Sequence, residues 1–272
     1  MKHIRIISPA SAINPQYVVD AQARLESWGY RVSIGAHALG QHGCFSGTKE
    51  ERLADINEAF ADPDVDIILC SRGGYGLQQI VDKIVLPTRP KEQWPLVVGF
   101  SDITVLHALM SINNVPSLHA PMCEPIATLP ENSPTLVRLR EALAEGVVAE
   151  TNVIGGNLSV LYGLQGTPYS LNHMIDRCAT PPTLLLEDIG EKQYHIDRML
   201  NNLRMSGVFA RINGVIIGQF TNCPDDPKMG CSLEETIRSY FVEYGYPIIS
   251  DAPYGHEDLN IPIYLSCNRL RK

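Results

Sequence analysis

The chain has 272 residues and 44% hydrophobic content, enough to bury a sizeable core in one large domain or two of ordinary size. A formal charge of −8, with acids and bases mixed along the chain, argues against general binding to nucleic acid or to an anionic membrane, while leaving room for a local basic pocket. The apolar start, Ile4 to Ile7, is too short for a signal-peptide core and no later run approaches a membrane span, so a soluble, cytoplasmic protein is expected.

The first half alternates strand and helix. Ile4 to Ile7 reads as a strand, followed by a helix capped by Asn14 with Pro15 at its first position, Val18, Ala21, Leu25 and Trp28 on one face, and Gly29 as the stop. Arg31 to Ile34 is a second strand, and Thr48 with Glu51 forms a capping-box pattern ahead of Leu53, Ile56 and Phe60. Val65 to Cys70 is nearly all apolar, as expected of a parallel strand covered on both faces. This order predicts a doubly wound α/β sheet.

Two loops at strand ends then stand out. Ser71-Arg72-Gly73-Gly74-Tyr75-Gly76 has three glycines in four positions, which lets backbone approach a ligand closely. It is no dinucleotide fingerprint, since Gln79 stands at the third glycine position, and it lacks the Gly-Lys-Ser/Thr of a P-loop. Leu96 to Val98 is a strand that stops at Gly99, presents Ser101, and passes into a helix with Val105, Leu106, Leu109 and Met110. A serine on such a turn suits a nucleophile, with the amide of Asp102 as half an oxyanion hole; the alternative is that Ser101 merely caps the helix. In open α/β sheets ligands bind beyond the carboxyl ends of the strands, where both loops fall.

Val115 to Leu118 is a further strand, leading to His119-Ala120-Pro121, and Pro134 to Ala144 a helix with Leu136, Leu139 and Leu143 inward. Domains are expected at 1–145 and 156–272, with 146–155 as the linker. In the second half Thr183 to Leu186 is a buried strand opening onto the carboxylates Glu187, Asp188 and Glu191. A helix over 194–203 turns Ile196, Met199, Leu200 and Leu203 inward; Gly214 to Gly218 and Ile248-Ile249 are strands, Leu233 to Val242 a helix, and 255–262 a loop.

Serine acyl transfer needs a base and a group that orients it. Of the eight histidines, His3, His37 and His42 sit in polar, surface-like contexts and His107 and His195 within helices, whereas His256 follows a glycine in a polar loop. Glu187 differs from most other acids in sitting where an apolar strand opens out. Metal chemistry has little support: the seven cysteines are scattered with no Cys-x-x-Cys pair, and His256-Glu257-Asp258 lacks a second histidine one turn on.

Taken together, Arg72-Gly73-Gly74-Tyr75-Gly76, Gly99-Phe100-Ser101-Asp102, Gly155-Gly156-Asn157-Leu158, Leu186 to Glu191 with Asp197-Arg198-Met199-Leu200, and Gly255-His256 with Asn260 and Pro262 closely resemble the LD-carboxypeptidases, serine peptidases of the muramoyltetrapeptide carboxypeptidase family. The match is collinear from about Ile6 to Pro262. Departures are His119-Ala120-Pro121 where many relatives have His-Gly-Pro, and Tyr264 where glycine is common.

The resemblance implies an N-terminal Rossmann-like domain carrying the nucleophile Ser101 and a smaller, β-rich α/β C-terminal domain carrying the base His256 and the orienting Glu187. It implies an oxyanion hole from the amides of Asp102 and of Gly73 or Gly74, with Gly74 preferred. The implied reaction is metal-free and cofactor-free hydrolysis between an L-configured diamino acid and the terminal D-alanine of a murein peptide. Arg72 is a candidate for meeting the peptide's terminal carboxylate, or a brace for the glycine loop. Relatives are often homodimers, a point on which this sequence is silent. The alternatives are a microcin-immunity-type peptidase acting on an aminoacyl-nucleotide amide and a non-enzymatic two-domain ligand-binding protein.

Overall fold

The computed structural model describes residues 1–146 and 152–267. The first half runs β1 (His3–Ile7), α1 (Pro15–Ser27), β2 (Arg31–Ile34), α2 (Lys49–Ala61), β3 (Ile67–Cys70), β4 (Leu96–Gly99), α3 (Thr104–Ile112), β5 (Ser117–His119), α4 (Cys123–Thr128) and α5 (Pro134–Glu145). The second runs β6 (Val153–Asn157), α6 (Leu158–Gly163), α7 (Leu171–Arg177), β7 (Thr183–Ile189), α8 (Gln193–Met205), β8 (Gly214–Thr221), α9 (Leu233–Ser239), β9 (Ile248–Ile249) and β10 (Ile263–Leu265).

Local sequence sets the helix starts. The Asn14 side chain accepts from the Gln16 amide at 3.1 Å ahead of Pro15, and Thr48 and Glu51 close a reciprocal capping box on α2. Helix α9 is shorter than its pattern predicts: it stops at Ser239, and Val242–Tyr244 form a separate 3-10 turn. Between them Phe241 is fully buried against Phe209, ring centroids 4.7 Å apart.

Six strands form the first sheet in the order β10-β5-β4-β3-β1-β2, all parallel except β10, which runs antiparallel to β5. Period-two alternation sorts the strand side chains between two cores. Ile7, Ile68 and Val97 pack with Ile56 and Phe60 on one face; Ile4, Ile6, Ile67, Leu69 and Val98 pack with Val18, Leu25 and Leu139 on the other. The chain turns from β2 back past β1 to β3, so the topological switch lies beside β3, and the loops after β3 and β4 share the ligand-binding edge. The second sheet, β6-β7-β8-β9, is wholly parallel and covered by α6, α8 and α9 residues.

Three placements differ from the sequence expectation. Strand β10 was expected with the second domain, yet it pairs with β5 at the edge of the first sheet, while Ser266 just beyond it bridges Val153 of the second. Val153 to Gly155, expected in the linker, begin β6; the remainder of that segment, 147–151, lies outside the described residues. His3, expected at the surface, is 5% exposed because its ring fits between Ser33 and the Asp64 carbonyl, and burial followed by the Arg31 charge lowers its pKa.

Helix α3 joins the halves. Every residue from Thr104 to Ser111 is buried, not just the predicted stripe, because α3 packs on its own sheet and on β6 of the second. The contact is close: a Cβ on Gly156 would lie 2.5 Å from Thr104 Oγ1, and that hydroxyl accepts from the Asn157 amide at 3.0 Å. The helix that follows Ser101 is therefore the wall against which the second domain is set.

Candidate active site

The turn after β4 holds Ser101 at φ +64°, a left-handed backbone that side-chain-bearing residues adopt at a cost of about 1–3 kcal/mol. Ser101 makes no capping bond to the 3-10 turn Ser101–Ile103 or to α3, so the cap reading fails. Its neighbour Asp102 is 4% exposed and turns its carboxylate away from the cavity to accept from the Leu77 amide at 3.0 Å. Burial raises the Asp102 pKa, opposed by that bond and by the Arg52 charge. The carboxylate thereby ties the serine turn to the glycine loop.

The glycine loop lies directly against the turn. A Cβ on Gly73 would come within 2.9 Å of Ser101 Cβ and 3.1 Å of the Asp102 amide nitrogen, so only glycine lets the two loops meet this closely. Gly74, at φ +95°, instead faces Ser11, whose amide donates to the Gly73 carbonyl and whose hydroxyl accepts from the Tyr75 amide. Arg52 on α2 braces the loop from beneath. It is 1% exposed, donates from Nη1 to the Pro9 and Gly76 carbonyls, and stacks on Phe45. Arg52 carries no motif that marks it in the sequence, although its spacing of four from Ile56 puts it on the buried stripe. Arg72 lines the cavity and donates one bond, from Nη1 to the Ala12 carbonyl.

From the second domain, Glu187 arrives on β7 at an irregularity in its pairing with β8, where the register shifts between Leu186 and Asp188. The extra residue is on β8, which pairs Leu186 with Ile217 and Asp188 with Phe220, while Glu187 keeps its register with Asn157 of β6 and is fully buried. Its Oε2 lies 2.9 Å from His256 Nδ1, a close contact that is off the line of a straight hydrogen bond. His119, at the end of β5, brings Nε2 to 4.0 Å from Oε1. Burial pushes the Glu187 carboxyl up, but His119 and His256 together more than offset it, so the pKa is lowered. Next to it, Asp188 receives bonds from Asn157, Ser159 and the Ile189 amide. Burial, with the Glu187 charge adding, raises its pKa to about 7.

The loop bearing His256 is held from both domains. Gln219 of β8 accepts from the Glu257 amide and donates to the Leu259 carbonyl, and Asn260 accepts from the Gly255 amide at 3.3 Å. Thr135 at the start of α5 accepts from the Asn260 amide and donates to the Asp258 carbonyl, anchoring the loop to the first domain. His256 packs against Phe100, ring centroids 4.8 Å apart.

The two loops and the His256 loop border one cavity of about 500 Å³, lined by Arg72, Gly73, Gly74, Ser101 and His256 together with Glu124, Glu257 and Asp258. Glu187 stands behind His256, out of the cavity. Ser101 and His256 thus share a cleft between domains, and His256 turns its other ring nitrogen from the acid. Among the described residues no three His, Cys, Asp or Glu side chains are grouped to hold a metal ion.

This two-domain α/β architecture, with its interdomain cleft, is that of a peptidase family. Residues 4–120 match the LD-carboxypeptidase N-terminal domain and residues 150–268 the LD-carboxypeptidase C-terminal domain, and the chain belongs to the LD-carboxypeptidase family. It is 33% identical to a probable murein peptide carboxypeptidase of Bacillus subtilis, over 93% of this chain and 83% of that protein. It is 29% identical to the murein tetrapeptide carboxypeptidase of Pseudomonas aeruginosa, over 93% and 87%. The fold matches the crystal structure of muramoyltetrapeptide carboxypeptidase from Oxalobacter formigenes with a TM-score of 0.82 at 24% identity, covering 97% of this chain and 93% of that one. The microcin C7 self immunity protein MccF shares the fold at a TM-score of 0.79 and 16% identity, covering 97% and 91%.

Proposed function

We propose that the protein is a serine LD-carboxypeptidase that removes the terminal D-alanine from murein tetrapeptides through an acyl-enzyme. The observation that carries the reading is the convergence of Ser101 on its strained turn with His256 in one cleft, His256 being backed by the buried carboxylate of Glu187. The family membership and the names of the curated relatives support the substrate class.

In this mechanism Ser101 Oγ attacks the carbonyl carbon of the diamino acid while His256 Nε2 takes the hydroxyl proton. Glu187, at Nδ1, fixes the tautomer and stabilises the imidazolium. The tetrahedral oxyanion is met by the amide of Asp102 and an amide of the Gly73-Gly74 pair, each such donor contributing about 3 kcal/mol. Collapse breaks the C–N bond, His256 returns the proton to the departing D-alanine amine, and water repeats the sequence to free the enzyme. Arg72 meets the D-alanine carboxylate, and the acids Glu124, Glu257 and Asp258 suit a diamino acid with a free ammonium group. We assign the reaction to the cytoplasm, the compartment in which free cysteines such as these stay reduced.

The test is mass spectrometry on a tetrapeptide panel that varies the third residue and the terminal stereochemistry, with an aminoacyl sulfamoyl nucleotide beside it. Release of D-alanine from peptides with a diamino third residue is expected. Cleavage of the nucleotide conjugate alone would overturn the substrate assignment.

A further inference from the structure

His119 is the one histidine of the site that sequence reasoning left without a role, and its surroundings are unusual. It is fully buried, and neither ring nitrogen has a hydrogen-bond partner among the described residues. Opposite it, both carboxylate oxygens of the fully buried Glu187 also lack a well-formed hydrogen bond. Leaving such groups buried and unpaired is costly, most of all for a charged one. Nε2 of His119 is 4.0 Å from Glu187 Oε1, within a side-chain adjustment of bonding distance.

The backbone fixes this ring from both sides. His119 pairs with Gly99 of the strand leading to Ser101 and with Ile263 of the strand that follows the His256 loop. Its ring lies against Phe100, 5.7 Å between centroids, and against His107, 6.2 Å. His107 donates from Nε2 to the Gly99 carbonyl and accepts at Nδ1 from the Ser117 hydroxyl, and burial lowers its pKa to about 3, so it stays neutral. The charged or titratable groups acting on Glu187 are His119 and His256, and the neighbouring Asp188 is bonded to Asn157 and Ser159.

We propose that His119 is a positioning residue, which donates Nε2–H to Glu187 Oε1 and so latches the acid of the second domain to the sheet that carries Ser101. The inference rests on the Ser101-His256-Glu187 reading and deepens it. His256 must be neutral to act as a base, and it then leaves a buried carboxylate with one partner. His119 supplies the second, which keeps Glu187 ionised and aimed at His256 Nδ1 while the serine and its base sit on different domains.

The test compares His119→Leu, which removes the donor at similar volume, with His119→Gln, which restores an N–H near the position of Nε2. For His119→Leu, kcat is expected to fall roughly 10- to 100-fold, as when outer partners of a catalytic group are removed, with KM little changed. The acidic limb of the kcat/KM profile moves to higher pH, since Glu187 without the His119 partner protonates more easily. His119→Gln recovers most of kcat and returns the limb. Wild-type kcat and an unmoved limb in His119→Leu would overturn the proposal, as would equal losses in both variants that follow a common drop in melting temperature. Glu187→Gln and His256→Ala are measured alongside: turnover in those would mean that the triad reading itself has failed, whereas their inactivity with a silent His119→Leu rejects the latch alone.

Discussion

Gly73→Ala tests whether the contact between the glycine loop and the serine turn sets the geometry of catalysis. The new Cβ would stand 2.9 Å from Ser101 Cβ, where ordinary contacts begin at 3.4 Å, and 3.1 Å from both the Asp102 amide and the Phe100 carbonyl. Ser101 or the loop must therefore retreat by about 0.5 Å. A displacement of about 1 Å at a reacting centre costs about 10²-fold in rate, so half of that predicts about a 10-fold fall in kcat, or about 1.4 kcal/mol of barrier. Three crowded atoms rather than one make this a lower bound. Steady-state release of D-alanine reads kcat and KM, and a thermal melt reads the fold. Gly163→Ala is the control, because a Cβ there meets only the Gln78 side chain, at 3.1 Å; it is expected to leave kcat unchanged. Wild-type kcat in Gly73→Ala would refute the argument that this contact positions the nucleophile.

Further predictions concern charge. Arg72→Ala is expected to raise KM for a free tetrapeptide roughly 10- to 100-fold, the worth of a charge-assisted bond, and to leave the C-terminally amidated peptide unaffected; equal effects on both would make Arg72 a brace for the loop through Ala12. Asp188 has its pKa raised from 3.8 to about 7. The stability that its proton contributes is full below pH 3.8 and is lost as pH rises to about 7, by up to about 4 kcal/mol. Urea unfolding at pH 5 and pH 8 should show a smaller fall for Asp188→Asn than for the wild type, and identical falls would contradict the assignment.

The parts of the fold legible in sequence are those written locally. Asn14-Pro15 and the Thr48/Glu51 box mark helix starts, and the unbroken apolar character of β3 and β4 marks covered parallel strands. The turn at Ser101 was legible as strand, glycine and helix, but its left-handed φ and its failure to cap could be seen only in three dimensions. What escaped depends on contacts between distant segments. β10 is three residues long, and its pairing with β5 crosses 146 positions from Leu118 to Tyr264 (264 − 118), so no periodicity announces it. His119 ends a strand of three residues; its signal was its place at the carboxyl end of the strand next to the one bearing Ser101. Helix α3 is apolar nearly all round, which signals burial on every side, and that pattern could have placed the domain contact on it.

The most direct test of the serine mechanism is D-alanine release from a murein tetrapeptide by wild type and by Ser101→Ala, each with a thermal melt. The wild type is expected to release D-alanine steadily, and Ser101→Ala to melt normally but lose about 10³-fold or more in kcat. Turnover by Ser101→Ala at the wild-type rate would contradict it.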